Sequence, residues 1–423
     1  MSSTTRTLIT GLLVLVAAFL VWLVIPAGTS FPGNAEAPSS SPALVERGAY
    51  LATAANCGTC HTAPGGEAMA GGLAFNTPFG TIYSTNITPD ADTGIGDWSF
   101  ADFANSMRHG VRPDGTHLYP VFPYTSFTKI GDDDLAALFT YLNSVPAVRQ
   151  SAPANELSFP FNLRILMKAW KALFFDNGEF VADESQPGDW NRGAYLVEAF
   201  AHCGECHSPR NAFGAAKNGL AMSGGEYLDK VAGGKYKPWF APDLTSSEAG
   251  LGLWAHEDLA DYLHTGRNAF LDSIGPMNEV IMHSTRHLDR ADVEAMATYL
   301  KSLPAASPVA REPVSERIMG RGRTIYNLHC GTCHLPTGLG DPEMGPKLNQ
   351  GSLVVQAPNP ASMINVILYA PDVADLPARW RMPMDEFQYI LDDEEVAAVA
   401  SYIRNSWDNR AGLVTPDQVA RQR

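Results

Sequence analysis

One five-residue pattern, Cys-x-x-Cys-His, occurs three times in the chain, at residues 57–61, 203–207 and 330–334. This spacing is the attachment signature of c-type haem, in which two cysteine thiols add to the vinyl groups of the porphyrin and the histidine binds the iron. All six cysteines of the chain fall in these motifs. The sequence therefore predicts three covalently bound haem c groups.

Each motif supplies two thioether sulfurs and one proximal ligand of the iron. The predicted thioether residues are Cys57, Cys60, Cys203, Cys206, Cys330 and Cys333, and the predicted proximal ligands are His61, His207 and His334. A zinc site would need a further ligand at finger spacing, and a dithiol redox site would need a thioredoxin-like context. Neither alternative explains why every cysteine pair is followed at once by histidine. Haem attachment accounts for all three motifs.

Length and charge narrow the possible functions. A chain of 423 residues suggests about three domains at roughly 150 residues each, which agrees with three motifs. The net charge of −15 argues against nucleic-acid binding, because that function needs a basic surface. The sequence contains no glycine-rich phosphate loop and no nucleophile elbow. Nothing in it therefore indicates a substrate pocket apart from the haem sites.

The first residues predict a membrane anchor. Residues 7–25 carry no charge and are about long enough to cross the ~30 Å hydrocarbon layer as a helix. The alternative is a cleaved signal peptide, which has a shorter apolar region and a small-residue cleavage site. We favour the uncleaved anchor because the apolar run is long and the Ala-x-Ala pattern is not clean. Residues 26–42 are then a flexible tether.

The remainder of the chain is a threefold repeat. Each repeat has a short helix before its haem motif and a second helix near its end, at residues 134–142, 292–300 and 395–403. Apolar residues recur there at i, i+3 and i+7, and acidic residues occupy the first turn. The predicted domains are residues 43–147, 187–304 and 316–409, with an aromatic-rich linker at 148–186, a short linker at 305–315 and a polar tail at 410–423.

Trp98 and Trp254 occupy matching places in the first two repeats. Packing in the core is the preferred interpretation of both residues. A contact between the indole N–H and a haem propionate is the alternative.

The sixth ligand of each iron is expected from the loop before the last helix. A methionine sulfur at that position raises the reduction potential and suits electron transfer. In the second repeat we predict Met277, with Met282 as a nearby alternative. In the third repeat we predict Met384, with Met382 as the runner-up.

The first repeat departs from this pattern, because its loop at residues 118–124 contains no methionine. Three side chains remain as candidates for the sixth ligand of haem one. They are Met107 in the middle helix, His117 at the start of the loop, and Met69 after the haem motif. Met107 and His117 have similar weight, so the sequence predicts one or the other.

Several segments together make the chain resemble a known family. They are the three haem motifs and residues 86–90, 93–96, 118–120, 159–162 and 275–277. The chain resembles the tri-haem cytochrome c subunits of membrane-bound periplasmic dehydrogenases, such as the alcohol, aldehyde, gluconate and fructose dehydrogenases of acetic acid bacteria. The resemblance implies an all-α chain with three class I cytochrome c domains behind an N-terminal transmembrane helix. One departure is Phe122, which stands where many members carry methionine.

The resemblance also implies a function. The chain is expected to be a non-catalytic subunit that passes electrons from a catalytic dehydrogenase subunit to ubiquinone or the respiratory chain. The partner is of the molybdopterin, pyrroloquinoline quinone or flavin type, with or without a small subunit, and oxidises an aldehyde or alcohol. The haem domains are expected in the periplasm, on the cytoplasmic membrane. Two alternatives are a multi-haem peroxidase-like enzyme and a cytochrome subunit of a terminal oxidase.

Overall fold

The computed structural model describes residues 3–25, 39–231, 234–371 and 383–423. The described residues form two compact units. The first unit comprises those of Met1–Ala52 and Cys60–Phe180, and the second comprises Thr53–Thr59 and those of Val181–Arg423. The short segment before and within the first haem motif therefore packs with the second unit.

Up to residue 180, short helices alternate with one small sheet. The helices are α1 (Ser3–Val24), α2 (Pro42–Ala54), α3 (Cys57–Cys60), α4 (Phe100–His109), α5 (Tyr124–Phe127), α6 (Asp132–Leu142) and α7 (Leu166–Phe174). The strands β1 (Ala74–Thr77), β2 (Gly80–Tyr83) and β3 (Glu156–Leu157) pair antiparallel in the order β1-β2-β3.

After residue 180 the same order of elements occurs twice more, with a hairpin in the first copy. The helices are α8 (Gly188–Tyr195), α9 (Gly204–His207), α10 (His256–Thr265), α11 (Met277–His283), α12 (Arg290–Ser302), α13 (Glu316–His329), α14 (Gly331–His334), α15 (Leu353–Gln356), α16 (Ala361–Tyr369), α17 (Asp393–Ile403) and α18 (Pro416–Gln422). The hairpin strands are β4 (Gly225–Lys230) and β5 (Tyr236–Ala241). One π-helical segment, Leu196–Phe200, continues α8, and the 3-10 turns are Leu251–Leu253 and Thr285–His287.

The expectation of an all-α fold is wrong, because two small sheets interrupt the helices in the part of the chain that the structure describes. The β1–β2 pair runs from Ala74 opposite Tyr83 to Thr77 opposite Gly80. The β4–β5 pair runs from Gly225 opposite Ala241 to Lys230 opposite Tyr236. Strands of this length contain β-branched and aromatic residues that favour strands, but they are too short for a clear periodic pattern.

The expected transmembrane helix is also not supported by the structure. In the described ranges, none of the helices is both long enough and apolar enough to cross a membrane. α1 ends against α7, where Lys168 Nζ donates to the main-chain oxygens of Trp22 at 2.5 Å and Ile25 at 2.8 Å. The ammonium group thereby satisfies two carbonyls at the end of α1, where a cation is electrostatically favoured.

In each repeat the first and last helices cross at a glycine. The crossings are α2 on α6, α8 on α12, and α13 on α17. A Cβ placed on the glycine would overlap a main-chain oxygen of the last helix. Its distance would be 2.1 Å from Gly48 to Ala137 O, 1.9 Å from Gly193 to Ala295 O and 2.2 Å from Gly322 to Ala398 O. Atoms do not approach so closely without a shift of the backbone. The two helices are therefore in backbone contact, which only glycine permits.

An arginine beside each glycine pairs with a carboxylate in the first turn of the last helix. The pairs are Arg47–Asp134 at 2.5 Å, Arg192–Asp292 at 2.6 Å and Arg321–Glu394 at 2.7 Å. Because the arginines are partly exposed, each pair contributes at most about 1 kcal/mol. The pairs therefore define how the helices are oriented more than they stabilise the domain.

The second and third repeats share a core within the second unit. Ser362 on α16 donates to the main-chain oxygen of Phe240 at 3.0 Å, and Asn365 donates to that of Pro238 at 2.8 Å. The hairpin of the second repeat is thus fixed on a helix of the third. Trp239 and Val231 belong to the same apolar cluster as Tyr326.

The crossing predicts a large effect of one methyl group. Gly322→Ala is expected to destabilise the third domain by about 3 kcal/mol, because the added carbon overlaps Ala398 O. Gly320→Ala is the matched control in the same helix, where a Cβ meets nothing within 4 Å. Alanine at that position is expected to stabilise by about 0.5–1 kcal/mol. Denaturant unfolding followed by haem absorbance compares the two variants, and equal stabilities would contradict the backbone contact.

Candidate haem-binding sites

Short helices present the cysteines of all three motifs. α3, α9 and α14 each span the haem motif or most of it, so residues i and i+3 lie on one face of a single helical turn. None of the six cysteines is in a disulfide bond. Each pair therefore offers two sulfurs on the same side of the chain, as two adjacent vinyl groups require.

The surroundings of the cysteines favour neutral sulfur. Burial raises the pKa of the Cys203 thiol to about 12 and that of Cys330 also to about 12. A zinc site needs thiolates, which an apolar environment disfavours. A thioether carries no charge, so these sites suit thioether attachment better than zinc.

The three histidines of the motifs make the same hydrogen bond. In each case Nδ1 faces a main-chain oxygen, with His61 at 2.6 Å from Thr85, His207 at 2.7 Å from Pro242 and His334 at 2.9 Å from Pro346. A carbonyl oxygen only accepts, so Nδ1 carries the proton and donates it. Nε2 then keeps its lone pair for the iron, and the ring orientation is fixed. Burial also lowers the pKa of His61 and His207, which keeps both imidazoles neutral.

The hairpins place two of these carbonyls. Thr85 follows β2, and Pro242 follows β5. In each case the next residue turns the chain with its own side chain, as Asn86 Oδ1 accepts from Thr88 N at 2.9 Å and Asp243 Oδ1 accepts from Thr245 N at 2.7 Å. The sequence singled out residues 86–90 but missed the role of the preceding carbonyl, because a main-chain oxygen has no sequence signature.

Met69 lies on the histidine side of its domain. Its main-chain oxygen accepts from Ile87 N at 2.9 Å, and the equivalent Met222 accepts from Leu244 N at 2.8 Å. The sulfur of Met222 lies 3.9 Å from the Cβ position of Gly204, within the second haem motif. By this equivalence we place Met69 near the proximal histidine, which disfavours it as the residue that would hold the iron from the other side.

In the second domain the structure favours Met277 over Met282. Met277 begins α11 directly after a tight turn, where Gly275 has φ +54° and a Cβ would lie 2.7 Å from the Trp239 ring. The sulfur of Met282 instead accepts from Arg286 Nη1 at 3.1 Å. Met282 is thus engaged by a cation, and Met277 remains the predicted ligand.

In the third domain Met384 is half-buried and packs against the apolar cluster that contains Phe387. The ring of Phe387 lies edge-on to His329, with centroids 5.7 Å apart. The runner-up, Met382, lies outside the described residues. Met384 therefore stays the predicted ligand.

In the first domain a half-buried lysine, Lys171, contacts the buried ring of His117. Lys171 Nζ lies 3.1 Å from His117 Nδ1, and it also donates to the main-chain oxygens of His109 and Gly110 at 2.5 and 2.7 Å. Burial lowers the pKa of Lys171 to about 7. The two carbonyls and the Tyr124 ring, whose centroid lies 4.6 Å from Nζ, all favour the ammonium form, which we therefore assign.

The contact with Lys171 determines the tautomer of His117. An ammonium only donates, so His117 Nδ1 accepts and the ring proton lies on Nε2. That nitrogen then has no lone pair for iron. Burial and the charges of Lys171 and Lys168 lower the pKa of His117 to about 4, so the ring stays neutral.

Met107 lies at a position that recurs in all three domains. Met107 lies three residues before Gly110, the left-handed residue that ends α4. Leu263 lies three residues before Gly266 in the second domain, and Ile367 lies three residues before Ala370 in the third. All three side chains are buried. Only the first domain has a sulfur at this position.

The loop after α4 explains why the first domain differs. Leu118 N donates to Gly110 O at 2.7 Å, and Ser273 N donates to Gly266 O at 2.7 Å, so the two loops are in register. Four residues later stand Phe122 in the first domain and Met277 in the second. Phe122 packs on Phe127, with ring centroids 5.4 Å apart. The position of the loop methionine is thus filled by an aromatic ring.

Two buried N–H groups are suited to donate hydrogen bonds to the propionate carboxylates of haem. Trp239 Nε1 and Arg112 Nε are buried and have no acceptor among the residues the structure describes. A haem c carries two propionates, whose oxygens accept hydrogen bonds. Unsatisfied buried donors are rare in folded proteins, so a missing acceptor of this kind is the simplest reason for them. The residues present therefore fit haem.

Trp254 has a different role, and core packing is the role that the structure gives it. It is buried, stacks on Phe270 with centroids 5.8 Å apart, and donates from Nε1 to Gly351 O at 2.8 Å. Its N–H is thus already satisfied within the second unit, without a propionate.

Comparison with known proteins finds the same family in all three repeats. The profile of the family described as Cytochrome c matches residues 45–146, 191–304 and 319–407. The fructose dehydrogenase cytochrome subunit of Gluconobacter japonicus is 34% identical, over 96% of this chain and 89% of that protein. The alcohol dehydrogenase (quinone), cytochrome c subunit of Gluconacetobacter polyoxogenes is 36% identical, over 94% of this chain and 87% of that protein.

A further relative is much longer. One subunit of the nicotinate dehydrogenase of Pseudomonas putida is 42% identical over 92% of this chain, which spans only 32% of that protein. The predicted resemblance to cytochrome subunits of dehydrogenases is confirmed by the fructose and alcohol dehydrogenase matches.

The unsatisfied indole of Trp239 predicts a change in potential. Trp239→Phe keeps a ring beside Gly275 but removes the N–H, which leaves the propionate more negative and favours ferric iron. The reduction potential of haem two is expected to fall by a few tens of millivolts, with haem content unchanged, in a spectroelectrochemical titration. Trp254→Phe is the control and is expected to lower stability without lowering that potential. An unchanged potential in Trp239→Phe would show that this indole does not meet a propionate.

Proposed function

The chain belongs to the cytochrome c family, and from that premise we propose that it is a tri-haem electron-transfer subunit of a dehydrogenase complex. Haem c supplies one-electron chemistry, because its iron alternates between the ferric and ferrous states. The observation that carries the proposal is the shared proximal geometry, in which Nδ1 of His61, His207 and His334 faces a carbonyl. The cytochrome subunits of fructose and alcohol dehydrogenases among the relatives support it.

The proposal assigns residues to three sites. The thioether cysteines are Cys57, Cys60, Cys203, Cys206, Cys330 and Cys333, the proximal ligands are His61, His207 and His334, and the sixth ligands are Met277 for haem two and Met384 for haem three. The domains are residues 43–147, 187–304 and 316–409, each of which encloses one match to the family.

The residues of each site fix the charge state of the iron ligands and exclude water from them. The carbonyl at Nδ1 keeps each proximal histidine neutral and oriented. The methionine thioether stabilises ferrous iron and so raises the potential. The packed helices around each glycine crossing limit the rearrangement that accompanies a change in charge.

For haem one we propose Met107 as the sixth ligand. His117 is held by Lys171 with its ring proton on Nε2, and Met69 lies on the proximal side. Met107 is buried at a position that carries only aliphatic side chains in the other two domains. The domain that lacks the loop methionine is thus the one with a sulfur on the middle helix. A ligand on the helix replaces the ligand in the loop.

The proposed partner is a catalytic dehydrogenase subunit of the molybdopterin, pyrroloquinoline quinone or flavin type. It would oxidise an alcohol or aldehyde, and its electrons would reach ubiquinone one at a time through the haems that this chain would hold. Haem attachment through thioethers takes place outside the cytoplasm, so the haem domains are proposed to lie in the periplasm at the cytoplasmic membrane. The net charge of −15 suits a partner with a basic docking surface.

The function is tested by reduction of the haems in the purified complex. The chain is isolated with its co-purifying subunits, and ethanol, acetaldehyde, gluconate, fructose and nicotinate are added in turn while the reduced haem band is recorded. Rapid reduction by an alcohol or aldehyde is the expected result. The isolated chain without partner subunits is the control and is expected to stay oxidised.

Two outcomes would overturn the proposal. One is reduction of the isolated chain by a substrate, which would make the chain itself the enzyme. The other is oxidation of the reduced chain by peroxide in a catalytic cycle, without reduction by any of the five compounds.

The ligand of haem one has its own test. Met107→Leu is expected to leave haem one five-coordinate, so that the reduced protein binds carbon monoxide at one site per chain. The methionine-to-iron charge-transfer band should fall by about a third, since one of three thioether ligands is lost. Near-infrared absorbance and carbon monoxide titration measure the two effects.

Two matched variants separate ligation from packing. Met296→Leu removes a fully buried sulfur from α12 and is expected to keep the full band. His117→Gln is also expected to keep it. If His117→Gln, rather than Met107→Leu, opens haem one to carbon monoxide, the assignment is wrong.

A further inference from the structure

The first two haem motifs share a strained entry, by which we mean the residue directly before the first cysteine. The residue before the first cysteine is left-handed in both, with φ +54° at Asn56 and φ +38° at His202. In the third motif the corresponding His329 ends α13 in ordinary helical geometry. Non-glycine residues rarely adopt this conformation, and it persists where surrounding contacts impose it. The first two motifs are therefore entered by a turn that the third does not need.

These two entries contact each other within the second unit. The His202 imidazole donates to the main-chain oxygen of Ala55, two residues before Cys57. Next to it, Ser284 Oγ donates to the main-chain oxygen of Ala54 at 3.1 Å. Residues 53–59 belong to the second unit, as do His202 and Ser284. The segment that carries the first thioether of haem one is thus hydrogen-bonded to the residue before the first thioether of haem two.

We propose that the hydrogen bond from His202 to Ala55 is the electronic bridge between haem one and haem two. It completes a path that runs from Cys57 through Asn56 to Ala55, across one hydrogen bond, and through His202 to Cys203. The inference rests on the proposed function in one respect, namely that both motifs carry haem. His202 is then a positioning and coupling residue, and it binds neither iron.

The physical reason is the distance dependence of tunnelling. Electronic coupling falls exponentially with separation, and it falls more slowly along covalent and hydrogen bonds than across a van der Waals gap. The exchange is a single electron transfer, in which one iron is oxidised, the other is reduced, and no proton need move. A short bonded path between two cysteines therefore speeds this step without changing either potential. The two left-handed residues, Asn56 and His202, lie at this contact.

The test measures electron exchange between individual haems. In partly reduced protein, two-dimensional exchange NMR of the haem methyl resonances gives a rate for each pair of haems, and Met277→Leu identifies the signals of haem two. His202→Leu is expected to lower the rate between haems one and two severalfold. The rate between haems two and three and all three reduction potentials should stay at their wild-type values.

Two further variants distinguish a bridge from a structural role. His202→Gln retains an N–H that reaches toward Ala55 O and is expected to keep most of the wild-type rate. His329→Leu changes the equivalent residue of the third domain and is expected to leave the rate between haems one and two unchanged. Equal loss in His202→Leu and His202→Gln, or no loss in either, would overturn the bridge.

Haem content separates this failure from failure of the proposed function. Three haems per chain, with unchanged exchange in His202→Leu, would remove the bridge and leave the electron-transfer subunit intact. Fewer than three haems in the wild-type chain would contradict the tri-haem function itself.

Discussion

Each haem domain depends on a helix crossing that leaves no room for a side chain. At Gly48, Gly193 and Gly322 the first helix lies against a main-chain oxygen of the last helix, at a distance that even a methyl group would violate. The haem motif follows the first helix closely in every repeat, so the crossing also sets where the cysteine pair and the histidine emerge. Because the contact is between backbones, it requires a glycine on the first helix but no particular set of neighbouring side chains. This explains how three domains of different sequence present the same motif in the same way.

The histidine ring needs a second constraint, and the loops supply it. The carbonyls of Thr85 and Pro242 are delivered by hairpins, whereas that of Pro346 comes from an irregular loop. The three routes differ, but the acceptor at Nδ1 is the same. The chemical requirement is thus a main-chain oxygen at one place beside the ring, and several backbone paths satisfy it. The need for this oxygen accounts for the strands, although only helices carry the haem motifs.

The sequence predicted the parts of the sites that are local. The Cys-x-x-Cys-His spacing and the amphipathic last helices act over a few residues, so they are visible without a structure. The hairpins were missed because β1 and β2 are only four residues long and lack a clear alternation. The predicted transmembrane helix is not supported, because none of the described helices is both long and apolar enough to cross a membrane, although α1 covers most of residues 7–25. The contact between Lys171 and His117 joins residues 54 positions apart, and no spacing rule reaches that far.

The partner at Nδ1 decides whether a histidine in this chain is suited to bind iron. Three rings face a carbonyl and keep the lone pair of Nε2, while His117 faces an ammonium and keeps a proton there instead. A histidine ring in this chain is therefore suited or unsuited to bind iron according to whether the group beside its Nδ1 accepts or donates a hydrogen bond. In the first domain Lys171 also donates to two carbonyls at the end of α4, so replacing it to release His117 would remove two hydrogen bonds from the helix end. A half-buried lysine at the helix end thus leaves the nearby histidine poorly suited to bind iron, and the Met107 sulfur on the helix is the proposed ligand.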